Sequence, residues 1–143
     1  MARPEQPSFL PLTLSTAVTV AEAVRSPAVR AGADVVRRKA MDADSAAAEC
    51  WAALLGGCDA PGAKALPGRL HALTQATSVF AGLRWWEGDG SQHRYRVGRA
   101  QQRIDEALAE RDGEEFAEAF EDYDQAVATA LARAHSRLES STR

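Results

Sequence analysis

Between His93 and Arg103 the chain carries Arg94, Arg96, Arg99 and Arg103 and no acidic residue. A guanidinium group is permanently charged and offers a planar fork of N–H donors that matches the oxygens of phosphate and carboxylate. On a helix, Arg96, Arg99 and Arg103 share one face, because spacings of three and four return to the same side. Gly88, Gly90 and Ser91 come just before the stripe, so the free amides of a helix N-terminus would add to it. The chemistry on offer is anion binding, with Arg94, Arg96, Arg99 and Arg103 as candidate contacts to an anionic ligand or a partner. The chain also contains a competing use for these charges. Asp105 to Asp124 holds ten carboxylates and one arginine. If two helices fold back on each other at Asp112, residues whose numbers sum to about 225 lie opposite, which sets Arg103 against Asp122 and the other arginines against a less acidic stretch.

Catalytic signatures with demanding spacings do not occur in the sequence: no HExxH, no GxSxG, no P-loop and no dinucleotide fingerprint after a strand. The Glu-x-x-His pair of dimetal helical bundles is missing as well. His71, His93 and His135 fall on three different expected helices, and Cys50 and Cys58 lack the CxxC spacing of a zinc site. No metal or cofactor is therefore expected. The triplet Arg103, Ile104, Asp105 resembles a fragment of the helical chorismate mutases, whose sites need further basic and amide residues at set positions.

Trp85 and Trp86 adjoin a glycine turn. Adjacent helical side chains diverge by about 100°, so both indoles are buried only where several elements converge. Trp51, Trp85 and Trp86 are accordingly candidate interface anchors, with packing in the chain's own core as the alternative.

The elements that must position these groups are helices. Residues 1–9 contain two prolines and no periodicity and read as a loose arm. Leu10, Leu14, Ala17, Ala21 and Val24 form one helical face, although the alternation from Leu10 to Ser15 also fits an extended stretch before a helix from about Ser15. Ser26 followed by Pro27 marks the start of a second helix. Along it Val29, Ala33, Val36, Ala40, Ala43, Ala47, Cys50 and Leu54 make an unbroken heptad seam, closed by Gly56 and Gly57. The region 56–68, rich in glycine and proline, reads as a loop. A third helix from about Pro67 to Trp86 presents Leu66, Leu70, Leu73, Ala76, Phe80 and Leu83. Ser91 can cap a fourth, whose stripe of Val97, Ala100, Ile104, Ala107 and Leu108 is narrow and implies exposure. Asp112 and Glu115 form a variant capping box for a fifth, with a seam of Phe116, Phe120, Tyr123, Val127, Ala130 and Ala134. Leu108 and Phe116 are out of phase, which favours a sharp turn at Asp112 over one kinked helix.

The expected fold is all-α: an antiparallel helical bundle of four long helices plus a short N-terminal helix, in one domain over residues 10–139, with 140–143 as a tail. At 143 residues the chain is long enough to bury a core without disulfides or metal. Its thirty alanines, and fifteen arginines against two lysines, suit both helix formation and a GC-rich bacterial genome. A net charge of −3 argues against general coating of nucleic acid. The apolar run from Phe9 to Val20 is too short and too rich in hydroxyls for a membrane span, and it is a poor match to a signal peptide. A cytoplasmic location follows as the expectation.

The two helical seams and the missing catalytic motifs together favour a non-enzymatic protein working through protein contacts, as a regulator, adaptor or assembly subunit and as a homodimer. Nucleic-acid or anionic-ligand binding through arginine stripes on the second and fourth helices is the alternative. For the second helix this stripe is Arg30, Arg37, Arg38 and Lys39, loosely placed as in a helix-turn-helix. A small helical enzyme of unknown reaction ranks third.

Overall fold

The structure, a computed structural model, describes residues 8–57 and 61–141, with side chains over 8–57 and 64–140. Among the described residues there are six helices and no strand: α1 (Pro11–Ala23), α2 (Pro27–Gly56), α3 (Pro61–Ala81), α4 (Leu83–Glu87), α5 (Ser91–Glu110) and α6 (Gly113–Ser141). The all-helical expectation holds. Residues 1–7, Cys58 and the last two positions of the expected tail lie outside the described residues.

α2 begins and ends where local signals require. Ser26 is its cap, the Ser26 hydroxyl accepts from the Val29 N–H at 3.4 Å, and Pro27 occupies the first turn, where no N–H is needed. Gly57 closes the helix at φ 70°, a left-handed conformation that glycine adopts without a Cβ clash. The seam residues Ala33, Val36, Ala40, Ala43, Ala47 and Cys50 are buried, against α3 and α1 of the same chain. Small alanine side chains let the helix axes approach closely, and Leu66, Leu70 and Leu73 of α3 supply the bulk. At 30 residues α2 is close in length to α6, which has 29.

Three boundaries depart from expectation. α3 starts at Pro61 rather than Pro67, which lies inside the helix. The missing N–H of Pro67 forfeits a bond to the carbonyl four residues back, a cost of about 3 kcal/mol in an ordinary helix interior, and the fully buried Leu66, Leu70 and Leu73 offset it. α3 ends at Ala81 rather than Trp86. Gly82 at φ 94° redirects the chain into the single turn of α4, and Arg137 of α6 donates to the Ala81 carbonyl at 2.6 Å. α5 is capped by Gly90 without a side-chain bond, Ser91 being its first helical residue.

The α5–α6 connection is the sharp turn expected. Arg111 is left-handed at φ 55°, and Asp112 Oδ1 accepts from the Glu115 N–H at 3.1 Å. The two helices fold back antiparallel and pack extensively, as α2 and α3 do. Every residue of the α6 seam from Phe116 to Ala134 is buried. Tyr123 ties three helices together: its hydroxyl donates to the Leu70 carbonyl at 3.1 Å and lies 2.8 Å from Thr74 Oγ1, which donates to Gln101 Oε1 at 3.0 Å.

α1 lies between α2 and α6, and its start is set by residues distant in sequence. Leu10 offers no capping side chain. Instead Asp124 of α6, only 3% exposed, accepts from the Leu12 and Thr13 N–H groups at 3.0 and 2.8 Å. Asp44 of α2 accepts from the Phe9 and Leu10 N–H groups at 2.6 and 3.0 Å. These two carboxylates satisfy the orphan donors of a helix N-terminus and complement its dipole, which is why the helix starts at Pro11 and not at Ser15. Phe9, read from the sequence as arm, sits between the Trp51, Phe116 and Phe120 rings at centroid distances of 6.0, 5.7 and 5.3 Å.

Candidate functional site

The basic stripe lies on the exposed side of α5, whose inner face buries Val97, Ala100, Ile104 and Ala107. Arg96, Arg99 and Arg103 line a groove of about 420 Å³ between α5 and α6, together with His93, Tyr95, Gln125, Ala126 and Thr129. Arg94 is exposed on α5 and is not among the lining residues.

The three groove arginines are not equivalent. Arg103 is paired as its register foretold, with Asp122, and also with Glu115 at 2.8 Å. Arg96 and Arg99 have no ion pair among the described residues, and the α6 wall beside them carries the uncharged Gln125, Ala126 and Thr129. The acidic tract therefore neutralises one end of the stripe and leaves the other free.

His93 closes the basic end. It is 7% exposed, and its ring stacks on Trp85 at 5.6 Å and 21°. Burial lowers its pKa below the ordinary imidazole value, and the positive charges of Arg96 and Arg133 lower it further. Its ring nitrogens have no hydrogen-bond partner among the described residues. The turn before α5 is shaped for this stack. A Cβ on Gly90 would stand 2.6 Å from the Trp85 ring, so only glycine lets the indole lie over the turn. Arg137 covers the Trp85 ring at 5.8 Å from its centroid. Nothing in the sequence pattern pointed to His93 as part of the groove. The spacing of His93 and Arg96, three residues apart on one helix, was the available signal.

The other candidate residues sit elsewhere. Trp86 is buried at 5% exposure; Trp51 is half-buried and stacks on Phe116 at 6.3 Å; Trp85 is half-buried between His93 and Arg137. All three indoles are engaged in packing within the chain. On α2, Arg30 donates to the Ala21 and Val24 carbonyls at 3.3 and 2.9 Å and so closes the α1–α2 turn, while Arg37, Arg38 and Lys39 are exposed. Cys50 is a free, buried thiol pushed up to about 11 by burial and by the neighbouring Glu49, which keeps it protonated and unreactive. Among the described residues no cluster of three His, Cys, Asp or Glu side chains is placed to hold a metal ion, and no helix is long and apolar enough to cross a membrane. Comparison of the chain with protein-family models, curated proteins and solved structures finds no match.

Proposed function

We propose that this protein is a non-catalytic binding protein whose α5–α6 groove takes an anionic ligand. One observation carries the reading: Arg96 and Arg99 line a groove in which the one carboxylate among the described lining residues, Asp122, is taken up by Arg103, in a chain with more acidic than basic residues. With carboxylates available on both helices, two unneutralised guanidinium groups side by side repel each other unless an anion is bound. A thermal-shift screen over organic phosphates, dicarboxylates and sulfated saccharides tests it. At least one anion should stabilise the wild-type chain and leave Arg96→Ala/Arg99→Ala unmoved, with the effect shrinking as salt rises. If no anion moves the wild-type transition, the reading falls. The reading includes a cytoplasmic setting, which the free thiol of Cys50 suits, and an antiparallel bundle formed by α2, α3, α5 and α6.

A second reading is contact with another protein or a second copy of the chain. The seams of α2 and α6 are covered within the chain, so such contact would use other surfaces. Val79 and Leu83, 67% and 59% exposed, stand four residues apart where α3 meets α4. Sedimentation of the wild-type chain beside Val79→Glu/Leu83→Glu decides it: a dimer lost in the variant supports this reading, and a monomer throughout removes self-association.

A further inference from the structure

We infer that the ligand of the α5–α6 groove is a compact phosphate ester, its phosphate held by Arg96, Arg99 and an imidazolium that forms at His93 as it binds. This rests on the anion-binding reading above and narrows it.

The charge pattern limits the ligand's length. Arg96 and Arg103 are seven residues apart, about 10 Å along the helix. At the far end Arg103 is already occupied by Glu115 and Asp122. A nucleic-acid strand or a run of acidic side chains laid along the groove would meet these carboxylates within two turns of Arg96. A ligand with its negative charge gathered in one group avoids them. The volume of about 420 Å³ suits a small organic molecule. Tyr95, Ala100 and Ala126 in the lining give its body apolar surface to rest on.

The donors favour phosphate over carboxylate. Two arginine forks one turn apart, the Thr129 hydroxyl and the His93 ring exceed what the two coplanar oxygens of one carboxylate can accept, and they suit the three terminal oxygens of a phosphate ester.

His93 is built to respond. Around it stand Trp85 of α4, Arg96 on its own helix, Arg133 of α6 and, across the indole, Arg137 of α6. Cations surround the ring, no carboxylate figures among the charges acting on it, and its nitrogens lack a protein partner among the described residues. Burial and these cations therefore favour the neutral ring. A phosphate monoester brings a charge of about −1.5 to −2 at neutral pH, reverses that field and offers an acceptor oxygen, so the ring takes one proton from solvent.

The test uses the full chain with phenyl phosphate and inorganic phosphate as probes, and with benzoate, a polyglutamate peptide and a short DNA duplex as comparators. Imidazole ¹⁵N spectra at neutral pH follow His93, with His71 and His135 as internal references. Support is phenyl phosphate binding on the order of ten-fold tighter than benzoate, His93 nitrogens moving to imidazolium positions, and loss of binding in Arg96→Ala/Arg99→Ala. His93→Gln should bind more weakly and keep only the pH dependence of affinity that the phosphate's own second ionisation supplies. Because that variant disturbs the Trp85 stack, the wild-type spectra stand as the independent measurement. Tighter binding of the peptide, the duplex or benzoate overturns the ligand class while leaving anion binding intact. Phosphate binding with an unchanged His93 spectrum overturns the role of His93. If none of the anions binds, the inference and the reading beneath it fall together.

Discussion

The start of α1 and the α5–α6 groove handle charge in opposite ways. At α1, Asp124 is buried without a cation among the described residues, yet both of its oxygens accept backbone N–H groups, and the half-buried Asp44 accepts those of Phe9 and Leu10 through Oδ1 alone. At the groove, Arg96 and Arg99 are exposed and make no ion pair among the described residues, Asp122 of the same lining being held by Arg103. The first arrangement is closed, because every donor that an unfinished helix exposes is matched by an acceptor from a neighbouring helix. The second is open, with guanidinium donors in excess of the acceptors that line it. Buried polar groups that are fully satisfied hold a structure together, whereas charges left unpaired in a concave surface have a use outside it.

This contrast predicts where substitutions hurt. Asp124→Ala leaves two buried amides without acceptors and should cost about 3 kcal/mol. In calorimetry that is a Tm lower by on the order of 10 °C for a chain of this size. A loss under 1 kcal/mol would mean the α1 start is not closed by Asp124. Gly90→Ala drives a Cβ into the Trp85 ring and should cost about 2 kcal/mol through a displaced indole, read by urea titration together with a changed near-ultraviolet circular dichroism signal.

Next in size is a pH effect at His93. Its folded pKa is lowered, so the unfolded chain binds the proton more readily. The stability from a neutral His93 is complete above the ordinary value near 6.5 and is lost as pH falls from there through the folded value. Urea midpoints of the wild-type chain should therefore fall over that window more than those of His93→Gln. A phosphate ligand should shrink the difference, and equal slopes in the two proteins would break the prediction. Smallest of all, Arg96→Ala/Arg99→Ala should change stability by no more than about 0.5 kcal/mol in either direction while abolishing anion binding. A large loss of stability there would erase the contrast, because it would make the groove arginines part of the scaffold.

Legibility in the sequence followed the range of the interaction. The Ser26–Pro27 start, the Gly57 stop and the Asp112 turn are local devices, and each stands where its residues required. The α6 seam is buried throughout, and the α2 seam is buried from Ala33 to Cys50, with Val29 and Leu54 half-buried at its ends. Even Arg103 opposite Asp122 was recoverable, since a tight turn fixes the register of the two helices that it joins. The start of α1 was not, because its caps lie 34 and 112 residues away from the amides they serve. Nor was the Gly82 break: the pattern from Leu66 to Leu83 runs through it at helical period. The sequence left the three tryptophans two roles, interface anchor or core packing, and the fold shows all three packed within the chain.

The sequence by itself determined the helices: their periodicity, most of their ends, and the side of each that avoids water, because capping and apolar spacing act within a turn or two. The tertiary structure alone decided which charges are spent and which remain. Pairing depends on what another helix places opposite, so Arg103 meets carboxylates while Arg96 and Arg99, seven and four residues earlier on the same face, meet an amide, a methyl and a hydroxyl.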